Sequence, residues 1–244
     1  MGHWLTRSGQ IEPCVYQPGL PSRYEVIIPT KRLTDAEVDE LHAAGARRSG
    51  WLFYTTDCPS CSDCQPLRID LSTFRLSRSQ KRVWKANQDL RVEVGRPQVS
   101  GRRVALYNLH LNERGLNTND QKIDSDRYAQ WLVESGIQTL EFAYYLEDQL
   151  VGVGLVDLGE KDASSVYFYF DPAVSKRSLG TYSVLKEIDW LAQHGSRFHY
   201  LGFYNQACKA LRYKAAFGPH ELLEGIQGEA QWRSINGERD SASS

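Results

Sequence analysis

Residues 164–195 read SSVYFYFDPAVSKRSLGTYSVLKEIDWLAQHG, and this stretch sets the predicted fold of the chain around it. Val166–Phe170 is a run of β-branched and aromatic residues, which predicts a strand that ends at Asp171-Pro172. Apolar residues then recur at a spacing of three until Gly195, at Leu179, Tyr182, Leu185, Ile188 and Leu191. This spacing predicts an amphipathic helix that stops at the glycine.

The junction between this strand and this helix carries residue types that bind anions. They are Lys176, Arg177, Ser178, Gly180 and Thr181. The free N–H groups and the positive dipole end of a helix attract a phosphate. Gly180 would let the phosphate approach the backbone, and the Arg177 guanidinium would hold it with two hydrogen bonds. The alternative is a capped core helix whose cations are merely solvated.

The stretch resembles the aminoacyl-tRNA–protein transferases of the N-end rule pathway. In that family Tyr-Phe-x-(Tyr/Phe)-Asp-Pro is followed by Lys-Arg-Ser-Leu-Gly-Thr-Tyr-Ser-Val-Leu. Further family motifs occur in order at Cys14, Arg47-Arg48-Ser49-Gly50, Cys58-x-x-Cys61-x-x-Cys64-x-Pro66, Ser77-Arg78-Ser79-Gln80, Tyr200-Leu201-Gly202-Phe203-Tyr204, Cys208-Lys209-x-Leu211-Arg212-Tyr213-Lys214 and Pro219-His220-Glu221. Leu211 replaces the usual methionine and Ala207 replaces a frequent glycine, and both departures affect local packing.

Composition limits the classes of partner. The chain has 244 residues, with 29 Lys and Arg against 30 Asp and Glu, so contact with a nucleic acid must come from a local patch. No apolar run approaches the roughly 18 residues of a membrane span, and the first residues lack the apolar core of a secretory signal. We therefore expect a cytoplasmic protein with no membrane partner and no DNA partner.

The order of predicted elements indicates an α+β fold. From Gln138 onward, three strands in a meander are followed by a helix, a strand and a helix, which resembles an N-acetyltransferase (GNAT) half-domain. In that superfamily the helix after the fourth strand binds the cofactor's pyrophosphate at its N-terminal amides. We expect a degenerate GNAT-like half with the cysteines at residues 1–115, a typical GNAT-like transferase half at 116–228, and a disordered polar tail at 229–244.

Four cysteines form a candidate metal site. Cys58, Cys61 and Cys64 are spaced so that their thiols converge on one ion, and Cys14 would supply a fourth ligand. Zinc and an iron–sulfur cluster both fit this donor set, and free thiols in a tight turn are the alternative. The arginyl branch of the family is associated with cysteine-bound zinc or iron–sulfur, although the family reaction itself requires no cofactor.

A cluster of positive charges begins the next predicted helix. It consists of Arg75, Arg78, Lys81, Arg82 and Lys85. One interpretation is a patch that contacts the phosphates of tRNA, where backbone contacts supply affinity. The other is a solvated helix face, and the family resemblance with the near-neutral net charge favours RNA.

The resemblance implies a reaction in which the α-amino group of a protein attacks the aminoacyl ester of tRNA. Asp171, Tyr169 and Tyr213 are candidates to orient the amine or move its proton. The family's acceptors begin with Asp or Glu, and a cation must meet that side-chain carboxylate. The candidates are Arg47, Arg48, Arg177, Arg212 and Lys214.

The compact chain and its triple-cysteine turn resemble the bacterial leucyl branch, which implies Leu-tRNA as donor. Asp171 keeps Arg-tRNA as the alternative, because a desolvated guanidinium needs a carboxylate partner. Two further classes stay open. In an acetyl-CoA-dependent acetyltransferase, Tyr182 would stand where the pyrophosphate loop usually has a small residue. A non-catalytic RNA- or metal-binding module would not need so long a C-terminal half.

Overall fold

Strands and short helices alternate along the chain in the computed structural model, which describes residues 2–115, 122–225 and 230–235. The strands are β1 (Trp4–Ser8), β2 (Glu12–Pro13), β3 (Pro21–Ser22), β4 (Tyr24–Pro29), β5 (Arg47–Ser49), β6 (Leu52–Thr56), β7 (Gln65–Asp70), β8 (Leu90–Gly95), β9 (Gln138–Leu146), β10 (Gln149–Leu158), β11 (Ala163–Phe170), β12 (Phe198–Tyr204), β13 (His220–Glu224) and β14 (Gln231–Ile235). The α-helices are α1 (Asp35–Ala43), α2 (Arg78–Ala86), α3 (Gly101–Glu113), α4 (Ser125–Tyr128), α5 (Leu179–Gln193) and α6 (Lys209–Arg212). A π-helical turn (Ala129–Val133) follows α4, and 3-10 turns cover Pro172–Arg177 and Tyr213–Ala216.

The central feature is a mixed sheet of eight strands in the order β14-β13-β7-β12-β11-β10-β9-β8. β11 and β12 pair in parallel, and the other pairings of this sheet within the described residues are antiparallel. A second sheet has the order β1-β4-β6-β5. The α+β class is confirmed, and so is the predicted order of the C-terminal half: a three-strand meander, a helix, a strand and a helix.

β11 and β12 separate soon after they begin. The two strands, both fully described, pair through Ala163 with His199 and Ser164 with Tyr200, although each runs several residues further. The backbone groups beyond this point therefore lack a neighbouring strand on that side and need other partners. We refer to this opening between β11 and β12 as the splay.

Helix α5 covers one face of the large sheet. Its predicted apolar stripe is buried together with residues of β7, β9 and β10, and α3 packs a second cluster on the opposite face. The third cluster joins α1 to the smaller sheet. Capping boxes at Thr34–Glu37 and Ser77–Gln80 begin α1 and α2. None of the described helices is long and apolar enough to cross a membrane.

The large sheet crosses the predicted boundary at residue 115. β7 lies between β12 and β13, and β8 pairs with β9, so strands from both predicted halves share one sheet. Near the start of the chain, β1 pairs with β4. Long-range pairing supplies the hydrogen bonds that local sequence does not indicate.

The predicted disordered tail begins with an ordered strand. Gln231–Ile235 forms β14, which pairs with β13. The indole Nε1 of Trp232 donates to the carbonyl of Ala43 at 2.9 Å, and its ring lies over the Arg68 guanidinium at 4.3 Å. These tertiary contacts order a polar segment. The remainder of the predicted tail, residues 236–244, lies outside the described residues.

Candidate functional site

The start of α5 lies at the carboxyl end of β11, as predicted. Asp171 accepts a hydrogen bond from the backbone N–H of Ala173 at 2.9 Å and begins the 3-10 turn that contains Lys176 and Arg177. Ser178 then adopts a left-handed conformation with φ of 56° and makes no side-chain capping bond. A Cβ added at Gly180 would have nothing within 4 Å. Gly180 therefore leaves open space beside the first turn of the helix.

Arg177 has a partner in the protein. Its Nη1 and Nη2 donate to the two carboxylate oxygens of Asp89, each at 2.9 Å. The side chain of Asn87 donates to the Arg177 carbonyl at 2.9 Å. Since Asp89 occupies both prongs of the guanidinium, Arg177 joins the start of α5 to the segment after α2. The two-pronged anion clamp predicted for this side chain is thus taken by the protein's own carboxylate.

The basic cluster is exposed beside this junction. All five cations are exposed, and none of them forms an ion pair with another described residue: Arg75, Arg78, Lys81, Arg82 and Lys85. Helix α2 packs on α5 through Trp84, whose ring lies 5.8 Å from Tyr182 and 4.7 Å from the Lys186 ammonium. Two anion-binding elements predicted separately are therefore side by side.

Arg47 fills the splay. Its guanidinium donates to the carbonyl of Ser165 at 2.5 Å, to the carbonyl of Val166 at 3.1 Å and to the hydroxyl of Ser164 at 3.3 Å. Gly202 of β12 has φ of 80°, and a Cβ there would lie 2.5 Å from Arg47 Cζ. The arginine thus supplies the hydrogen bonds that a neighbouring strand would have given, and glycine is required opposite it.

A buried polar network lies next to the splay, and its members were not predicted. Glu187 of α5 accepts from Ser165 Oγ at 2.6 Å, from Ser183 Oγ at 2.8 Å and from His199 Nε2 at 3.0 Å. Burial opposes ionisation, but these hydrogen bonds outweigh it and hold the pKa of Glu187 below its usual range. His199 is fully buried, and its Nδ1 has no hydrogen-bond partner among the residues that the structure describes. The sequence carries one signal of this network: Glu187 is a charged residue beside the apolar stripe of α5, directly before Ile188.

The residues after α6 border this network. Tyr213 is 47% exposed as a whole residue, but desolvation of its hydroxyl and then the nearby Glu187 carboxylate raise the pKa of the phenol, so it remains a neutral donor. Lys214 Nζ donates to the carbonyl of Phe203 at 2.7 Å, and burial followed by the nearby Arg47 charge lowers the pKa of Lys214 to about 7. Arg212 is exposed. An ammonium committed to an internal carbonyl is not placed as a surface receptor for a carboxylate.

Tyr169 does not reach the surface. It is fully buried, and its hydroxyl lies 2.6 Å from the hydroxyl of Tyr128. Burial holds the pKa of Tyr169 far above its usual range. Its ring packs edge-on against Tyr107 at 5.2 Å. The predicted contact with substrate is not compatible with this position, because alternate residues of β11 face opposite sides of the sheet and Tyr169 faces α3.

Arg48 is buried as well. Its Nε donates to Asp157 at 2.6 Å and its Nη1 donates to the carbonyl of Gly50 at 3.0 Å. Asp157 also accepts from Thr139 Oγ1 at 2.8 Å. Neighbouring residues of β5 thus point in opposite directions: Arg47 enters the splay and Arg48 enters the interior beneath β10. The predicted pair of acceptor-binding arginines does not converge.

The cysteines share one neighbourhood but not one centre. Burial raises the pKa of the Cys64 thiol, and the nearby thiols of Cys14, Cys61 and Cys58 raise it further. Asn205 Nδ2 donates to Cys64 Sγ at 3.6 Å, and Cys58 Sγ donates to the carbonyl of Arg23 at 3.7 Å. Among the described residues, no three His, Cys, Asp or Glu side chains are grouped as a metal site. The donor types suit zinc or iron–sulfur, and metal binding stays a prediction.

Comparison with known proteins gives a family. The N-terminus model of the arginine-tRNA-protein transferase matches residues 12–82, and the C-terminus model matches residues 102–224. The chain is 34% identical over 226 residues to the aspartate/glutamate leucyltransferase of Aeromonas salmonicida, covering 91% of this chain and 92% of that protein. It is 31% identical over 224 residues to the Acinetobacter baumannii protein of the same name, covering 91% and 81%.

Among solved structures, the chain is similar to FemX with a TM-score of 0.45 and 7% identity, covering 83% of this chain and 80% of that one. The two family models match the chain in order, and their matched ranges contain every motif quoted above. The chain belongs to the arginine-tRNA-protein transferase family.

Proposed function

We propose that the protein transfers leucine from Leu-tRNA to the N-terminal Asp or Glu of acceptor proteins, which marks them for N-end rule degradation. The family membership supports aminoacyl transfer, and the names of the curated relatives support leucine and acidic acceptors. The compartment that holds both substrates is the cytoplasm, and the five cysteines are free thiols, as a reducing compartment favours.

The position of α2 beside the start of α5 carries the proposal. Exposed cations on and before α2 and the open first turn of α5 form one surface, joined by the Arg177–Asp89 ion pair. RNA backbones are bound through such phosphate contacts. A surface of this kind in a protein of net charge −1 supports a specific contact with a polyanion, not general attraction to polyanions.

The reaction requires correct positioning of the two substrates more than it requires a strong general base. An α-amino group has a pKa of about 7.7–8.0, so a useful fraction is neutral near pH 7, and the tRNA ester is already activated. The enzyme must hold the two groups together and stabilise the tetrahedral oxyanion. Arg47 and the neutral phenol of Tyr213 are donors that border the splay. If a metal or cluster binds, its ligands would be Cys14, Cys58, Cys61 and Cys64, and the bound group would stabilise the local structure.

The donor amino acid is the finer part of the proposal. Leucine needs an apolar pocket, whereas arginine needs a carboxylate that survives desolvation. Asp171 stands at the start of the turn before α5, but its Oδ1 already accepts from Ala173 and its Oδ2 lies 3.5 Å from the Gln149 amide. A carboxylate that caps the backbone is less available to a guanidinium, which supports leucine.

The deciding experiment is a transfer assay with radiolabelled leucine or arginine on its tRNA and a peptide that begins with Asp. We expect leucine to be incorporated, and we expect the same peptide with an acetylated N-terminus to receive none. Preferential incorporation of arginine would overturn the assignment of the donor, and its loss in Asp171→Asn would identify the cause. Transfer of neither amino acid would overturn the proposed function.

A further inference from the structure

Arg114 differs from three neighbouring cations in having no acidic partner and no internal carbonyl as acceptor. Arg47 and Lys214 donate to backbone carbonyls at the splay. Arg177 is paired with Asp89 at the start of α5. Arg114 is exposed and forms no ion pair with another described residue. Its guanidinium therefore keeps N–H donors available for a ligand.

The fold places Arg114 at the far end of β11. It is the capping residue at the end of α3, and its guanidinium carbon lies 5.9 Å from the centre of the Phe170 ring. One turn earlier in α3, the Nδ1 atom of His110 lies 3.0 Å from the carbonyl oxygen of Phe170. The end of α3 is thus fixed against the last residue of β11, so the position of Arg114 is set by two rigid elements.

This position connects the proposed tRNA surface to the splay. On one side, α3 contacts the 3-10 turn Pro172–Arg177, which leads into α5. On the other side, the charge of Arg114 reaches the phenols of Tyr167 and Tyr213: burial raises the pKa of both phenols, and the nearby Arg114 opposes this rise. An RNA strand that passes from α5 to the donors of the splay therefore passes Arg114.

The chemistry of the donor places an anion at this point. In an aminoacyl-tRNA the ester is carried by the ribose of the last nucleotide, and the 5′ phosphate of that nucleotide is attached to the same ribose. When the ester reaches the donors of the splay, this phosphate lies at the mouth of the splay. A guanidinium binds a phosphate with two parallel hydrogen bonds, which fix the direction of the phosphate as well as its distance.

We propose that Arg114 binds the phosphate of the 3′-terminal nucleotide of the donor tRNA and so positions the ester in the splay. The inference rests on the proposed function and adds a positioning residue for its donor. The cations of α2 hold phosphates further along the acceptor arm, whereas Arg114 holds the last phosphate and orients the ester toward Arg47 and Tyr213. This division of the contacts predicts that Arg114 and the basic cluster respond differently to shortened donors.

The test measures leucine transfer to an Asp peptide from three donors: Leu-tRNA, the leucyl ester of the trinucleotide CpCpA, and the leucyl ester of adenosine, which has no phosphate. Arg114→Ala should raise KM about tenfold for the first two donors and leave it unchanged for the third. Arg114→Lys keeps the charge but not the fork, so its effect should be smaller. The variant Arg78→Ala/Lys81→Ala/Arg82→Ala should raise KM for Leu-tRNA alone. Arg102→Ala, an exposed arginine on α3, is the matched control and should change none of these constants.

The outcomes separate this inference from the proposed function. If Arg114→Ala keeps the wild-type KM for the trinucleotide ester, or raises KM equally for the adenosine ester, Arg114 does not bind the terminal phosphate. A rise confined to KM for the Asp peptide would make Arg114 an acceptor contact and would also overturn the inference. If wild-type protein uses no donor, the proposed function fails.

A binding measurement decides in that case, and also if only the short esters fail as substrates. The probe is uncharged CpCpA with a fluorescent label at its 5′ end, titrated with protein and followed by fluorescence anisotropy. Binding that is about tenfold weaker in Arg114→Ala than in wild type and Arg102→Ala would support the phosphate contact. Equal binding by all three proteins, or binding by none of them, would overturn it.

Discussion

The guanidinium of Arg177 and the carboxylate of Asp89 form a two-pronged ion pair, with both N–O distances at 2.9 Å. The pair holds the start of α5 against the segment after α2, although the two residues are 88 positions apart in the sequence. Hydrogen bonds from Arg177 lower the pKa of Asp89. The contact is partly exposed, so it contributes modestly to stability, about 0.2–1 kcal/mol, and its main effect is on the shape of the proposed tRNA surface.

Arg177→Ala should weaken the use of Leu-tRNA several-fold while the fold stays intact, because the variant loses both a cation and the tie between α2 and α5. Asp89→Ala is the matched variant: it breaks the same tie but leaves the cation free for a phosphate, so its loss should be smaller. Transfer rates at subsaturating tRNA measure both. Unchanged kinetics in Arg177→Ala would remove this residue from the tRNA site.

Replacing Arg78, Lys81 and Arg82 together by alanine should reduce tRNA affinity and its dependence on salt. Each phosphate contact contributes roughly 0.7 to the slope of log affinity against log salt for single strands and 0.9 for duplex DNA. Loss of three contacts should lower the slope by about 2, measured by filter binding at several salt concentrations. Arg102→Ala should leave the slope as in the wild type; an unchanged slope in the triple variant would make the cluster a solvated face.

Glu187→Ala should destabilise the protein by about 3–5 kcal/mol, since it leaves His199 and two serine hydroxyls buried around a missing carboxylate. Ser183→Ala removes one donor of the same network and should cost about 1 kcal/mol. Urea denaturation measures both losses in the free energy of unfolding, with one m-value fitted to wild type and variants. Equal and small losses would show that the network contributes little to folding.

His42 should make stability fall as the pH is lowered. Burial lowers the pKa of His42 to about 4, against 6.5 in an unfolded chain. Between these values the unfolded state binds a proton that the folded state does not, so stability is lost as the pH falls from about 6.5 to 4. The loss is about 3 kcal/mol. His42→Leu should lack this part of the pH dependence. The measurement is the free energy of unfolding in urea at several pH values, for the wild type and for the variant. If the two free energies change with pH in parallel, the assignment to His42 is wrong.

The four cysteines should bind zinc or iron in protein purified without oxygen. The thiols of Cys14, Cys58 and Cys61 lie near that of Cys64. Elemental analysis and absorption spectra distinguish the two metals, and Cys58→Ser/Cys61→Ser should lose the metal. Fresh anaerobic protein with neither zinc nor iron would leave structural thiols as the description.

Local signals predicted the elements well. The apolar stripe of α5 and the strand runs of the meander each fix an element through interactions within a few residues. The α+β class followed, because the order of such elements leaves few arrangements. β14 was missed because its polar sequence carries no strand signal, and pairing with β13 together with the Arg68–Trp232 contact decides its structure.

The site was predicted in part. The junction before α5 and the exposed basic cluster were located from residue types and spacing, and their binding of tRNA stays a prediction. The family was found from ordered motifs. That the two surfaces adjoin was not predictable, since no local pattern reports which helices pack together. Glu187 and His199 were missed because their partners come from different elements. The roles given to Tyr169 and Arg48 were not supported, because sequence does not tell which face of a strand is buried.

The sequence by itself determined the elements, their class and the family, because caps, periodicity and motifs act over short distances along the chain. The tertiary structure decided which charged groups are free. Arg47 lies in the splay, Arg48 lies against Asp157 and Arg177 lies on Asp89, although all three are arginines in motifs of the same appearance. The availability of a charge depends on burial and on partners from remote segments, and these are set only when the sheet and its helices pack.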